Sequence, residues 1–152
     1  MDQIKNIFIE RTAKTPQVDF NQLTGELILF GKSIPENAAK VYEPLLAWIN
    51  DYIKSPRHTT NLRLNLEYFN TPSSIWLAKM VNALSKISED DYVFFIHLYF
   101  DIEDFESMDM EELKNIVGQL VDNISEGKIS IGVKTYGTDV NGKIVKESTI
   151  FI

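Results

Sequence analysis

Residues 61–101 read NLRLNLEYFN TPSSIWLAKM VNALSKISED DYVFFIHLYF D, with a helical pattern between two strand patterns. In 62–68, leucine and tyrosine alternate with polar residues, which is typical of a strand with one buried face. Residues 92–100 are almost continuously apolar, as in a central strand covered on both faces. The helical stripe between them comprises Trp76, Leu77, Met80, Val81, Leu84 and Ile87. A strand–helix–strand order predicts that at least part of the sheet is parallel.

The N-terminal side of this unit predicts a hairpin followed by a helix. Two short strands, 18–20 and 26–30, flank a turn-rich connection that ends in Gly25. Apolar residues then recur with helical spacing over 41–53. Pro44 lies inside that pattern and has no amide hydrogen, so the helix is expected either to kink there or to begin near it.

The C-terminal side predicts a third helix and a second hairpin. The helical stripe runs over 110–124, and Gly118 is a weak point within it. Asn141-Gly142 lies between two strand patterns, a strong hairpin signal, and places the hairpin at about 128–152. We therefore expect one α/β domain over 1–152, a mixed sheet with the order β-β-α-β-α-β-α-β-β and helices packed on it.

Composition narrows the class of protein. The chain has 152 residues, of which 44% are hydrophobic and 24% charged, as in an ordinary globular domain. It contains no cysteine, which excludes disulfides and thiolate chemistry and fits a cytoplasmic location. The net charge of −7, with scattered Lys and Arg, disfavours nucleic acid as a partner. No apolar run is long enough for membrane insertion, and the N-terminal residues do not read as a signal peptide.

The sequence contains none of the common catalytic or metal-binding motifs. The sequence has no Gly-rich phosphate loop and no dinucleotide fingerprint. Its two histidines, His58 and His97, lie far apart, and His97 reads as a strand residue with a satisfied ring. The acidic run 101–112 reads mainly as a solvated segment and helix start, with a docking surface for a basic partner as the alternative. We expect no enzyme activity, no metal and no cofactor.

Two segments resemble the SiaC family of bacterial regulatory phosphoproteins. The first joins TAKTPQVDF (12–20), TGELILFGKSIPEN (24–37) and YEPLLAW (42–48), and the second is LEYFNTPSS (66–74). Together they carry the resemblance over roughly residues 7–85. Two departures stand beside it: family members commonly read N-T-S-S-S-K where this chain has Pro72 and Ile75, and they typically end in one short strand rather than a hairpin.

The resemblance implies a fold similar to anti-sigma-factor antagonist (STAS) domains and no catalytic activity. It implies that a serine/threonine kinase phosphorylates a threonine, which is Thr71 here, and that a PP2C-type phosphatase removes the phosphate. In the best-known system of the family, the unmodified form binds and activates a diguanylate cyclase. The same resemblance makes a phosphorylation-dependent interaction with an output partner the expected function.

Read from the residues alone, Thr71 is a candidate helix N-cap, because it follows a strand and precedes a proline. Asn70 can cap or bridge in the same turn, and Ser73 and Ser74 are secondary phosphoacceptor candidates. One of Tyr68 and Phe69 should be core, and the other is a candidate partner contact. Capping alone would justify the threonine, so a scaffolding module without a phosphoswitch stays the alternative.

Overall fold

A mixed seven-stranded sheet organises the chain in the computed structural model, which describes residues 5–122, 124 and 129–151. The strands lie side by side in the order in which they occur in the sequence. Those from β3 to β6 are parallel, and β1, β2 and β7 are antiparallel to their neighbours. The strands are β1 (Ile7–Ile9), β2 (Gln17–Asn21), β3 (Glu26–Ser33), β4 (Thr59–Phe69), β5 (Val93–Asp101), β6 (Ser130–Thr138) and β7 (Ile144–Phe151).

Four helices connect the parallel strands: α1 (Ala38–Tyr52), α2 (Thr71–Leu84), α3 (Ile102–Ser107) and α4 (Met110–Val121). Because each crossover steps to the next strand in the same direction, right-handed connections place these helices on one face of the sheet. On β4 that face carries the buried residues Leu62, Leu64 and Leu66, and the polar residues between them are only half-buried. The core therefore lies between the sheet and the helices.

The opposite face of the sheet has no helix over it within the described residues. The central position predicted for β5 is confirmed. On its outer face His97 is buried, and Phe95 and Tyr99 are half-buried without a layer of helices above them. Large side chains shield one another there instead. The Tyr99 and Tyr136 rings stack with centroids 4.7 Å apart, and the Lys134 ammonium lies 4.7 Å from the centre of the Phe95 ring. The apolar pattern of residues 92–100 predicts that this strand is buried. The pattern does not show whether a layer of helices or the neighbouring side chains of the sheet bury it.

The predicted fold class is confirmed, and the structure adds two short elements to the predicted order. Strand β1 spans 3 residues and α3 spans 6, too few for either periodic pattern to be recognised. The alternative in which the first helix begins near Pro44 is wrong, because α1 begins at Ala38. Asn37 caps it by accepting a hydrogen bond from the Lys40 amide at 3.3 Å, and buried Ala38 and Tyr42 anchor the turns before the proline.

The C-terminal hairpin is confirmed as β6 and β7, joined by a turn in which Gly142 has a φ of +79°. The predicted bounds at residues 128 and 152 lie outside the described residues, as does residue 123 of the predicted third helix, whose described part ends at Val121. Among the described residues, no helix combines the length and the apolar content needed to cross a bilayer.

Candidate functional site

The candidate site lies where β4 passes into α2. Strand β4 pairs with β3 as far as Phe69, opposite Ser33, and the Asn70 amide continues the pairing by donating to the Ser33 carbonyl at 3.0 Å. This bond keeps Asn70 extended, with φ −83° and ψ 173°. Helix α2 therefore begins at Thr71, one residue earlier than the predicted N-cap at Thr71 would place it.

Asn70, rather than Thr71, caps α2. The Asn70 side-chain oxygen accepts a hydrogen bond from the Ser73 amide at 3.0 Å. The prediction that Thr71 is the N-cap is therefore wrong, and the capping role considered for Asn70 is confirmed. Pro72 sits in the first turn, where the missing amide hydrogen would have had no partner within the helix.

A chain of buried hydroxyl groups fixes the first turn of α2 to the rest of the core. Ser73 Oγ donates to the Ser33 carbonyl at 3.0 Å and lies 2.8 Å from Ser33 Oγ, which in turn bonds the Tyr42 hydroxyl. All three side chains are fully buried, and burial raises the pKa of the Tyr42 phenol above its usual value. Three elements, β3, α1 and α2, are joined through this cluster.

The three hydroxyl candidates near the junction differ in accessibility. The Thr71 side chain is exposed. Ser73 is buried with 0% exposure, so it cannot meet a kinase unless the first turn of α2 opens. Ser74 is half-buried, and its hydroxyl donates to the Thr71 carbonyl at 2.7 Å. In the folded chain, the Ser73 hydroxyl is therefore part of the buried hydrogen-bonded cluster, and Thr71 carries the most exposed of the three hydroxyl groups.

Two exposed apolar side chains flank Thr71. Tyr68 at the end of β4 is 60% exposed, and Ile75, one helical turn beyond Thr71, is 53% exposed. Phe69 packs against the core instead, so the prediction that Tyr68 and Phe69 divide between core and surface is confirmed. The candidate site thus presents apolar surface next to the exposed hydroxyl.

Thr71 also lies at one end of a groove between α2 and α4 with a volume of about 610 Å³. The residues that line it are Thr71, Ser74, Ile75, Ala78, Lys79, Asn82, Gly118, Gln119 and Asp122. Sequence reasoning missed this groove. The helical period gives the outward stripe of α2, but only the packing of α4 beside it makes the stripe one wall of a groove.

His97 is not a free base. Its Nε2 lies 2.7 Å from Asn61 Oδ1 and its Nδ1 lies 2.7 Å from the Tyr136 hydroxyl, which confirms the expected satisfied ring. Burial, together with the positive charges of Arg63 and Lys134, lowers the pKa of His97 to about 3. The imidazole is neutral at pH 7 with both nitrogens occupied. In the described part of the chain, no three His, Cys, Asp or Glu residues are grouped so that they could hold a metal ion.

Comparison with known proteins identifies the family. Residues 9–126 match the family described as SiaC family regulatory phosphoprotein. The chain belongs to the SiaC family. The match extends well past residue 85, where the motif resemblance ends, and it stops before the β6–β7 hairpin. No curated protein sequence matches the chain.

Solved SiaC structures share the fold. The crystal structure of apo-SiaC from Pseudomonas aeruginosa is 19% identical, with a TM-score of 0.66, and the alignment covers 84% of this chain and 98% of that one. A second match is SiaC from the crystal structure of the diguanylate cyclase SiaD in complex with its activator SiaC, from the same organism. It is 19% identical, with a TM-score of 0.64, and the alignment covers 82% of this chain and 97% of that one. At this identity the likeness concerns the fold.

Proposed function

We propose that this chain is a non-catalytic regulatory phosphoprotein of the bacterial cytoplasm, switched by phosphorylation of Thr71. A serine/threonine kinase adds the phosphate and a PP2C-type phosphatase removes it. The unphosphorylated form binds an output partner, a diguanylate cyclase, through the surface around Asn70, Thr71 and Tyr68. Membership of a family of regulatory phosphoproteins supports the class of function, and the SiaD–SiaC complex of P. aeruginosa supports the class of partner.

The observation that carries the choice of Thr71 is the contrast in accessibility at the start of α2. Thr71 is exposed, Ser73 is fully buried, and the Ser74 hydroxyl is held by the Thr71 carbonyl. A kinase must bring a hydroxyl into its own active site, which requires an accessible side chain. Because Asn70 already caps the helix, Thr71 is also free of a structural duty that a phosphate would disturb.

The physical effect of the modification is local. A phosphate adds about −1.5 to −2 charges at neutral pH. The first turn of α2 contains no acidic residue, so the positive end of the helix dipole favours the phosphate and the helix need not melt. A partner that covers Thr71 would have to desolvate a dianion, which costs several kcal/mol unless a cation accompanies it. A loss of about 2.7 kcal/mol already weakens binding a hundredfold.

The non-catalytic part of the proposal is supported by the state of the groups that most often act as bases or nucleophiles. The chain has no cysteine, and His97 is buried, neutral and bonded at both nitrogens. The buried hydroxyl cluster of Ser33, Tyr42 and Ser73 has no contact with solvent. None of these groups is placed to meet a substrate.

Phosphorylation is tested with the host's serine/threonine kinases and ATP, followed by mass-spectrometric mapping of the modified residue. We expect one phosphate on Thr71, its removal by the host's PP2C-type phosphatase, no modification of Thr71→Ala, and unchanged modification of the matched control Ser74→Ala. Modification that persists in Thr71→Ala and disappears in Ser74→Ala would move the site to Ser74.

Partner binding is tested by titrating the unmodified chain against each purified diguanylate cyclase of the host and measuring both affinity and cyclase rate. We expect one cyclase to bind and to be activated. If no cyclase binds, or if binding is the same with and without phosphate, the proposed switch is wrong, and the scaffolding module becomes the better description.

A further inference from the structure

The residues on both sides of Thr71 are tied to one carbonyl group. The Ser33 carbonyl oxygen accepts the Asn70 amide at 3.0 Å and the Ser73 hydroxyl at 3.0 Å. A carbonyl oxygen has two lone pairs, so these two bonds complete its accepting capacity. The backbone before and after the proposed phosphosite is therefore anchored to β3, although the Thr71 side chain itself is exposed.

The hydrogen bonds of the buried hydroxyl cluster run in one direction. Each of its three hydroxyl groups carries one proton. Ser73 gives its proton to the Ser33 carbonyl, so across 2.8 Å the Ser33 hydroxyl must donate to Ser73 Oγ. Ser33 Oγ then accepts the proton of the Tyr42 hydroxyl, to which it is also bonded. Tyr42 on α1 thus begins a chain of donors that ends at the first turn of α2, and the bonds of such a chain strengthen one another.

A kinase has to draw the acceptor hydroxyl out of this anchored turn. In phosphoryl transfer the acceptor oxygen lies in line with the γ-phosphate, inside the kinase active site. Thr71 is a short side chain at the first helical position, and the fully buried Ser73 follows two residues later. The neighbours of Thr71 can enter the active site with it only when Ser73 leaves the buried hydroxyl cluster. Native proteins undergo local openings of this kind at a free energy below that of global unfolding.

We propose that the buried hydroxyl cluster sets the rate of Thr71 phosphorylation by holding the first turn of α2 closed. This rests on the proposed function and adds a regulatory step to it, because the kinase acts on the small fraction of molecules in which the turn is open. Ser33, Tyr42 and Ser73 are positioning residues, since their effect on the reaction passes through Thr71. When opening and closing are fast, the rate follows the equilibrium population of the open form.

The test changes the cluster without changing the sequence that the kinase reads. Tyr42→Phe removes the first donor of the chain, and Tyr42 is fully buried on α1. The matched control is Tyr52→Phe on the same helix. Tyr52 is also fully buried, but its hydroxyl lies 2.8 Å from the Thr60 hydroxyl and accepts the Arg57 amide at 3.1 Å, in a separate group. Both variants lose a buried phenol hydroxyl, and only Tyr42 is connected to the start of α2.

Two quantities are measured for the unmodified chain and for each variant. Hydrogen exchange of the Ser73 and Ser74 amides reports the opening of the turn, because both amides donate to Asn70 in the closed form. The kcat/KM of the host serine/threonine kinase that modifies Thr71 reports the rate of phosphorylation. Urea unfolding measures the global stability of each variant, so that local opening and general destabilisation are told apart.

The expected change follows from the loss of one buried hydrogen bond, which shifts a local equilibrium by about fivefold. We expect Tyr42→Phe to raise both the exchange rate and kcat/KM by about fivefold. Tyr52→Phe should change each of them less than twofold while it loses at least as much global stability. Ser33→Ala removes the middle hydroxyl, keeps the carbonyl, and serves as a second variant with the same expected rise.

Three results would overturn the proposal and leave the phosphoswitch standing. The first is faster amide exchange in Tyr42→Phe and Ser33→Ala with an unchanged kcat/KM, because opening would then not limit phosphorylation. The second is an exchange rate that neither variant alters. The third is an equal rise of kcat/KM in Tyr52→Phe, which would reflect a general loss of stability. If no host kinase modifies Thr71 in the unmodified chain, the proposed function and this proposal both fall.

Discussion

Asn70 and Thr71 are both N-cap candidates in the sequence, but in the structure Asn70 caps α2. Alanine substitution of each residue should show the difference in stability. In Asn70→Ala the side-chain oxygen that accepts the Ser73 amide at 3.0 Å is lost, while the backbone bond from Asn70 to Ser33 remains. In Thr71→Ala an exposed side chain at the first helical position is shortened, and alanine is the better helix former.

The expected magnitudes follow from these contacts. Removing an N-cap side chain costs about 1 kcal/mol, within a range of about 0.5–2 kcal/mol. For a chain of this size that loss lowers the melting temperature by about 2–4 °C. Thr71→Ala should change the free energy of unfolding by less than about 0.5 kcal/mol, as is usual for an exposed position.

Urea titration, followed by fluorescence of the two tryptophans and by circular dichroism, measures both variants against the unmodified chain. The slope of free energy against urea should stay constant, so that a shifted midpoint reports stability alone. A loss of about 1 kcal/mol in Thr71→Ala and none in Asn70→Ala would refute this assignment of the cap. The predicted outcome makes Thr71→Ala a probe of phosphorylation that leaves the fold intact.

Three further perturbations test the packing around the site and the sheet. Ser73→Ala removes two buried hydrogen bonds to Ser33 and should cost about 1–3 kcal/mol in urea unfolding; a loss below about 0.5 kcal/mol would contradict the buried hydroxyl cluster. In the folded chain the pKa of His97 is lowered from 6.5 to about 3, so between these pH values the unfolded chain binds a proton that the folded chain does not. The free energy of unfolding should therefore fall from pH 6.5 towards pH 3, by up to about 1.4 kcal/mol per pH unit from this residue. The same pH dependence in His97→Gln would refute this prediction. Gly25→Ala should lower stability by more than about 1 kcal/mol, because Gly25 has a φ of +75° and a Cβ would collide with the Thr59 carbonyl; an unchanged melting temperature would contradict that geometry.

Much of the fold can be predicted from the sequence because its strands and helices have regular hydrophobic periodicity. The alternation over 62–68 gives the register of β4, and Asn141-Gly142 gives the hairpin turn. The sequence predicts the wrong N-cap for α2, because Asn and Thr are both favoured N-caps and local propensity cannot choose between them. The choice is made by Ser33 on the neighbouring strand, whose carbonyl holds the Asn70 amide in the extended region.

Some features of the candidate site can also be predicted from the sequence, and others cannot. Thr71 could be singled out from motif resemblance, and its exposure supports the choice. The burial of Ser73 could not be foreseen, since its partners Ser33 and Tyr42 belong to other elements. The groove could not be predicted either, because it forms only where α4 packs beside α2.

The most direct test of the central claim compares the host cyclase's affinity for two preparations of the same chain. One preparation is unmodified, and the other carries phosphothreonine at position 71, introduced during synthesis so that no kinase is needed. We expect a dissociation constant at least a hundredfold higher for the phosphorylated chain, with an unchanged melting temperature. Equal dissociation constants for the two preparations would contradict the account, because Thr71 would then not control the interaction.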